Sequence, residues 1–222
     1  MENILTKMIN KLLGLFKPVS TIELDPNNHV YREYHENGQL RREKPIVRGK
    51  LHGIWKLYYE NGKLKEETPY IKGKRHGILK RYYETGEPKI EIPLVNDKVY
   101  GTLKGYYGNG QLKEETPYHN DKRHGIRKTY YENGQLRREK PIVRGKRHGI
   151  EKCYFKTGKL LSETPYVRGK IHGIYKTYHE NGKLLYEMPY VNGKRHGISK
   201  TYYMNGQLSF EEMWVNDYQN FG

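Results

Sequence analysis

Tyr58-Tyr59-Glu60-Asn61-Gly62-Lys63-Leu64-Lys65-Glu66-Glu67-Thr68-Pro69-Tyr70-Ile71-Lys72-Gly73-Lys74-Arg75-His76-Gly77 is the stretch that decides the fold. Asn-Gly between segments rich in aromatic and β-branched residues is a strong short-range hairpin signal, because a type I′ turn needs positive φ at both central residues. A two-residue hairpin at Asn61-Gly62 sets Glu60 against Lys63, Tyr59 against Leu64 and Lys56 against Glu67. The last pair tests the register. The same count gives Arg32–Glu43, Lys80–Glu91, Lys104–Glu115, Lys128–Glu139, Lys152–Glu163, Lys176–Glu187 and Lys200–Glu211, a base opposite an acid each time. Each such pair contributes only ~0.2–1 kcal/mol, so its recurrence speaks for register more than for stability.

The stretch recurs with a period of 24 residues, about eight times along the chain. His-Gly falls at His52, His76, His124, His148, His172 and His196, with Tyr100-Gly101 in register where a seventh is due. The Asn-Gly series has Thr at Thr85 and Thr157, and a proline series runs Pro45, Pro69, Pro93, Pro117, Pro141, Pro165 and Pro189. Such a period marks a repeat architecture, in which each supersecondary element is stabilised by stacking on its neighbours.

A second hairpin around Gly73-Lys74 sets Glu67 between Lys56 and Lys80, so that charge alternates across the sheet. That face carries Tyr34, Tyr58, Tyr82, Tyr106, Tyr130, Tyr154, Tyr178 and Tyr202, together with the isoleucines after His-Gly. The other face sets Tyr59, Tyr83 and Phe155 against Leu64, Leu112, Leu136 and Leu160, and there Gly53 and Gly77 flank Tyr70, leaving room for its ring over bare backbone. The prolines resist regular pairing, since a proline inside a central strand removes a ladder donor. Pairing is therefore expected to weaken near Pro69 and its equivalents, with Pro-Tyr-x-x-Gly-Lys-Arg-His-Gly a wider, kinked connection.

The fold class is mainly β: an elongated, twisted, single-layer antiparallel β-meander of tandem hairpin repeats over residues 29–222. A segment 1–17 precedes it, with Leu5, Met8, Ile9, Leu12, Leu13 and Phe16 at helical spacing, and residues 18–28 read as a linker. The segment 1–17 is expected as a short amphipathic helix capping the first strand edge; membrane-surface or partner contact is the alternative. Lys7 and Lys11 interrupt its apolar run, and no cleavage site follows, so it reads as neither signal peptide nor membrane span.

Composition agrees with a thin sheet. Hydrophobic residues are 35% of the chain, yet 22 residues are Tyr and 24 are Gly. Tyr buries a large ring while its hydroxyl stays wet. The 41 basic and 25 acidic residues give a formal charge of +16, which favours acidic protein surfaces, nucleic acid or anionic membrane as partners. Cys153 is the single cysteine; no disulfide can staple the chain, and a reducing, cytoplasmic setting is expected.

The repeat resembles the MORN repeat, in the bacterial variant of the YwqK-like antitoxin family, through Tyr58-Tyr59-Glu60-Asn61-Gly62-x-Leu64 and Gly73-Lys74-x-His76-Gly77. The resemblance covers about residues 29–217. It implies an elongated antiparallel β-meander, an antitoxin-like role for bacterial members, and scaffolding or anionic-lipid contact for eukaryotic ones. Tyr100 for His, Pro88 for Leu and Met213 for Pro depart from the pattern.

Catalysis is not expected. Glu66-Glu67 and Glu114-Glu115 are sequence neighbours that point to opposite faces of a strand, so they do not converge on one bond. Neither a Gly-x-Ser-x-Gly elbow nor a phosphate-binding glycine loop occurs. Cys153 stands where sister repeats have Thr129, Thr177 and Thr201. The His series looks like a metal array, yet equivalent residues two strands apart lie ~9.6 Å from each other, far beyond one zinc coordination shell. No cofactor is expected.

Binding is what remains. Turns alternate edges in a meander, so one edge gathers Lys74-Arg75, Lys122-Arg123, Lys146-Arg147 and Lys194-Arg195, and the other carries Glu36, Glu60, Glu84, Glu132 and Glu180. The first reading is a non-catalytic protein-binding scaffold, of antitoxin, immunity or inhibitor type. It grips an acidic partner through that basic edge or through the face of Tyr58, Tyr82, Tyr106, Tyr130, Tyr178 and Tyr202; Tyr and Arg are frequent interface anchors. The second is nucleic-acid binding by phosphate contact and stacking, for which a ~9.6 Å recurrence matches successive phosphates poorly. The third is an anionic membrane, met through the N-terminal segment and the charge.

Overall fold

The computed structural model describes residues 20–25 and 28–220, with side-chain surroundings for 28–218. It is mainly β and antiparallel, a meander of tandem hairpin repeats, with no helix among the described residues. Two compact bodies form, Met1–Pro88 with Leu94–Asp97 and Lys89–Pro93 with Lys98–Gly222. The expected N-terminal helix, residues 1–17, lies outside the described residues. Ser20–Asp25, inside the expected linker, is instead a strand, paired antiparallel from Ser20↔Glu33 to Asp25↔Asn28.

The predicted register is found in both bodies. Arg32↔Glu43 and Lys56↔Glu67 pair in the first; Lys104↔Glu115, Lys128↔Glu139, Lys152↔Glu163, Lys176↔Glu187 and Lys200↔Glu211 pair in the second. Each of these glutamates up to Glu187 also meets the lysine of the following repeat, as in Glu67↔Lys80 and Glu115↔Lys128. The acid therefore stands between two bases.

The Asn-Gly loop differs from expectation. Tyr59 N–H donates to Lys63 O at 2.8 Å and Gly62 N–H to Tyr59 O at 3.0 Å, with Gly62 at φ +78°. This is a three-residue loop, a type I turn closed by a left-handed glycine. Tyr58, not Tyr59, therefore pairs with Leu64, and a bulge between Leu57 and Tyr58 restores the register. Asn61 caps the turn, its Oδ1 accepting Lys63 N–H at 2.9 Å.

The two-residue turns sit at the other edge, one residue earlier than Gly73-Lys74. Lys72 and Gly73 have φ of +50° and +84°, the type I′ signature, and Tyr70↔Arg75 and Ile71↔Lys74 pair across them. Pairing does weaken past the proline. His76 N–H still donates to Pro69 O at 3.0 Å, but the next ladder pair is Glu67↔Lys80, leaving Gly77 and Ile78 as a two-residue bulge. The bulge lies beside the proline nitrogen, which has no hydrogen to donate.

The same bulge explains the glycine of His-Gly. A Cβ on Gly77 would lie 2.8 Å from Pro69 Cγ, and Gly77 has φ +115°. Gly125 and Pro117 repeat the contact at 2.9 Å. The bare backbone thus receives a proline ring rather than the Tyr70 ring, because the proline leans into the bulge it creates.

Few apolar side chains are fully buried: Leu79 and Leu94 in the first body, Ile142 and Met188 in the second. All four belong to the face opposite the Lys–Glu–Tyr rows. Polar groups share that face. Glu66 is buried, accepts Thr68 Oγ1–H at 2.8 Å and pairs with Arg81 at 2.6 Å, so its charge is neutralised where burial would otherwise penalise it.

Candidate functional site: a cationic turn edge

The tyrosines of the Lys–Glu face are tied down. From Tyr58 onward each hydroxyl donates to the glutamate fifteen residues earlier: Tyr58 to Glu43, Tyr82 to Glu67 and Tyr106 to Glu91, all at 3.1 Å. Tyr130 reaches Glu115 and Tyr178 reaches Glu163 at 2.8 Å, and Tyr202 reaches Glu187 at 2.9 Å. Tyr154, in the same series, reaches Glu139 at 2.8 Å. Burial, reinforced by the acceptor carboxylate, pushes Tyr58, Tyr106, Tyr130, Tyr154 and Tyr178 up to about 12. These hydroxyls stitch repeat to repeat and are not free for a partner.

The Lys-Arg pairs divide in role. Arg75 Nε meets Asp97 at 3.1 Å, Arg123 donates to the Tyr118 hydroxyl at 3.2 Å and Arg147 to the Tyr166 hydroxyl at 2.6 Å. Arg195 stacks 3.6 Å from the Trp214 ring centre. The arginines are therefore held against their own sheet. Lys74, Lys122, Lys146 and Lys194 stay exposed and form no ion pair among the described residues.

The turns themselves are stacked. Gly73 N–H donates to Leu51 O at 2.7 Å and Asp97 N–H to Arg75 O at 2.9 Å in the first body. In the second, Asp121 donates to Val99 O, Gly145 to Arg123 O, Gly169 to Arg147 O and Gly193 to Ile171 O. Each turn is thus hydrogen-bonded to the short strand of the repeat before it.

The stacking brings further exposed cations to the turn edge of each body: Arg48, Lys50 and Lys72 in the first, Lys98, Arg144, Arg168 and Lys170 in the second. The reading from sequence missed them, although Arg-Gly-Lys and Lys-Gly-Lys at the 24-residue period were the available signal. Lys72, Arg144 and Arg168 hold φ of +50°, +49° and +51°, a left-handed conformation that costs a non-glycine residue roughly 1–2 kcal/mol.

Sequence reasoning also missed the apolar surface of the last repeat, where Tyr203, Met204, Phe210 and Tyr218 are all more than half exposed. The histidines supply backbone N–H groups to the turn, as His76 and His124 do to Pro69 and Pro117. Among the described residues no three His, Cys, Asp or Glu side chains converge as a metal site, and no helix is long and apolar enough to cross a membrane.

The period, the stitched hairpins and the stacked turns coincide with a known repeat. The MORN repeat variant model matches residues 30–47, 51–72, 75–96, 100–120, 123–143, 147–168, 171–192 and 195–216. The chain belongs to the MORN repeat variant family. No curated protein matches it. The MORN repeat is a non-catalytic repeat type, and this chain is a scaffold of such repeats in tandem. Its signature residues are architectural: Asn-Gly closes one turn, Gly-Lys opens the other edge, and His-Gly makes the bulge that receives the proline.

Proposed function

We propose that this MORN-repeat chain is a non-catalytic binding scaffold that grips an acidic protein surface with its stacked cationic turns. Its role is of the antitoxin, immunity or inhibitor kind, and its setting a bacterial cytoplasm. The observation that carries the reading is the division of labour along the turn edge. The tyrosine hydroxyls and the arginines of the Lys-Arg pairs are committed to intramolecular contacts, whereas Lys74, Lys122, Lys146 and Lys194 are exposed. Backbone hydrogen bonds between turns hold those lysines on ordered backbone, which lowers the ordering cost of binding. The single free Cys153 and the resemblance to bacterial antitoxin-family proteins support the setting and the role.

The experiment is capture of partners by the full chain from nuclease-treated extract of its own cells, washed at stepwise ionic strength. An acidic protein retained in stoichiometric amount supports the reading. If nothing but nucleic acid is retained before nuclease treatment, and it leaves steeply with salt as counterion release demands, the protein-scaffold reading fails and the nucleic-acid alternative takes its place.

A further inference from the structure

The face opposite the Tyr–Glu rows holds a feature that the turn edge does not explain. Arg127 and Lys140 stand directly opposite each other on paired strands. Like charges in that relation destabilise a sheet. Arg127, with Lys113, Arg137, Arg138, Tyr107, Thr129 and Tyr130, lines a cleft of about 260 Å³. Glu114 is the one carboxylate in the lining; it lies over Gly105, where a Cβ would come within 3.1 Å, and meets Arg127 at 2.5 Å. Buried Glu151 sits beyond, 3.4 Å from Arg138 and 3.6 Å from Arg147. Within the lining, four cations face one acid.

This concentration is local. Arg127 is the only cation at its position, where the other repeats carry Tyr31, Trp55, Leu79, Leu103, Glu151, Tyr175 or Ser199; where Arg138 stands they carry Arg42, Glu66, Ile90, Glu114, Ser162, Tyr186 or Phe210. The repeat therefore tolerates neutral residues at both positions. The crowding is felt by Lys140, whose pKa is lowered, first by burial and then by Arg147, with Arg127 and Arg138 adding to it against the opposing pull of Glu151. Cations gathered beyond what the repeat requires are the kind of broken local rule expected at functional sites.

We infer that this cleft binds a phosphate-bearing small ligand, its arginine forks donating N–H bonds to the oxyanion. Guanidinium groups offer paired N–H donors that match phosphate oxygens. The volume lies below the ~300–1,000 Å³ of drug-sized pockets, so it fits a phosphate or pyrophosphate group rather than a whole cofactor. The site lies on a different face from the proposed partner edge and stands independently of that reading.

The test uses inorganic pyrophosphate titrated calorimetrically into the full chain at low salt. One dominant site is expected, weakened at least tenfold by R127Q/R138Q and unaffected by K74Q/K122Q/K146Q/K194Q. Arg137 lines the cleft and stands 5.7 Å over the Tyr131 ring centre, so R137Q serves as a second variant that leaves the Arg127–Glu114 pair undisturbed; it should weaken binding severalfold with an unchanged melting curve. Pyrophosphate binding that persists in both cleft variants overturns the assignment. So does binding lost only in the edge variant, or a glutamate-rich peptide competing equally well.

Discussion

The Tyr130 hydroxyl donates to the Glu115 carboxylate at 2.8 Å across a residue separation of 15. Glu115 also lies between Lys104 and Lys128 on the two flanking strands. One carboxylate thus stands in register between two bases and accepts the phenol of the next repeat. Hydrogen bonds to charged groups contribute more than neutral ones, and this one is half-buried. Tyr130→Phe should lower stability by about 1–2 kcal/mol, read as a shift of the urea midpoint with little change in slope. An unchanged midpoint would show the tyrosine row to be surface decoration.

The same row sets an alkaline limit. Tyr58, Tyr106, Tyr130, Tyr154 and Tyr178 are pushed up to about 12 from an ordinary value of 10.0. A folded-state pKa above the unfolded one means stability that is whole below pH 10 and is lost as pH rises through about 12. Thermal melts should therefore be flat to about pH 10 and fall steeply above it. Phenolate absorbance should show a late-titrating group of tyrosines beside an ordinary one. A single titration near 10 with the protein still folded would contradict the stitched row.

Gly77→Ala meets two obstacles, Pro69 Cγ at 2.8 Å and a φ of +115°. Gly145, at φ +81°, has no atom within 4 Å of its would-be Cβ. The first substitution should cost about 2–3 kcal/mol and the second about 1–2, compared by urea denaturation. Adding Pro69→Ala to Gly77→Ala should recover part of the loss, since the two residues are in contact and their effects are coupled. Strict additivity would deny the proline–glycine packing.

Lys72 occupies a left-handed position that Asn96, Asn120, Asn192 and Asn216 fill in other repeats. Asparagine tolerates that conformation better than lysine. Lys72→Asn should stabilise the protein by up to about 1 kcal/mol, measured as a rise in melting temperature. A fall would mean that the lysine stem contributes packing at this edge.

Much of the fold was legible because the 24-residue beat repeats a local signal until chance is excluded. The Lys56–Glu67 pair came out right although the loop closing it did not. Asn-Gly suits both a two-residue I′ turn and the last two positions of a three-residue loop, and only the latter places Asn61 outside positive φ. The bulge between Leu57 and Tyr58 then absorbed the difference, so every pair beyond it kept its partner. The I′ turns were placed one residue late, at Gly73-Lys74, because lysine and arginine are poor left-handed residues and Gly73 drew attention away from Lys72. The tyrosine series was read as a binding face since hydroxyl direction has no sequence signature; Glu67 accepting from Tyr82 needs the strand order in space. The cationic cleft was not legible either. Arg127 and Arg138 come together only once the register sets Arg127 against Lys140 and Thr129 against Arg138.

The central claim is that the exposed lysines of the stacked turns hold the partner. Its most direct test is the dissociation constant of the captured acidic protein for the full chain and for K74Q/K122Q/K146Q/K194Q, both folded by circular dichroism. The account predicts at least a tenfold loss of affinity in the variant, with the Tyr–Glu rows and the melting temperature unchanged. Equal affinity of the two proteins would contradict it.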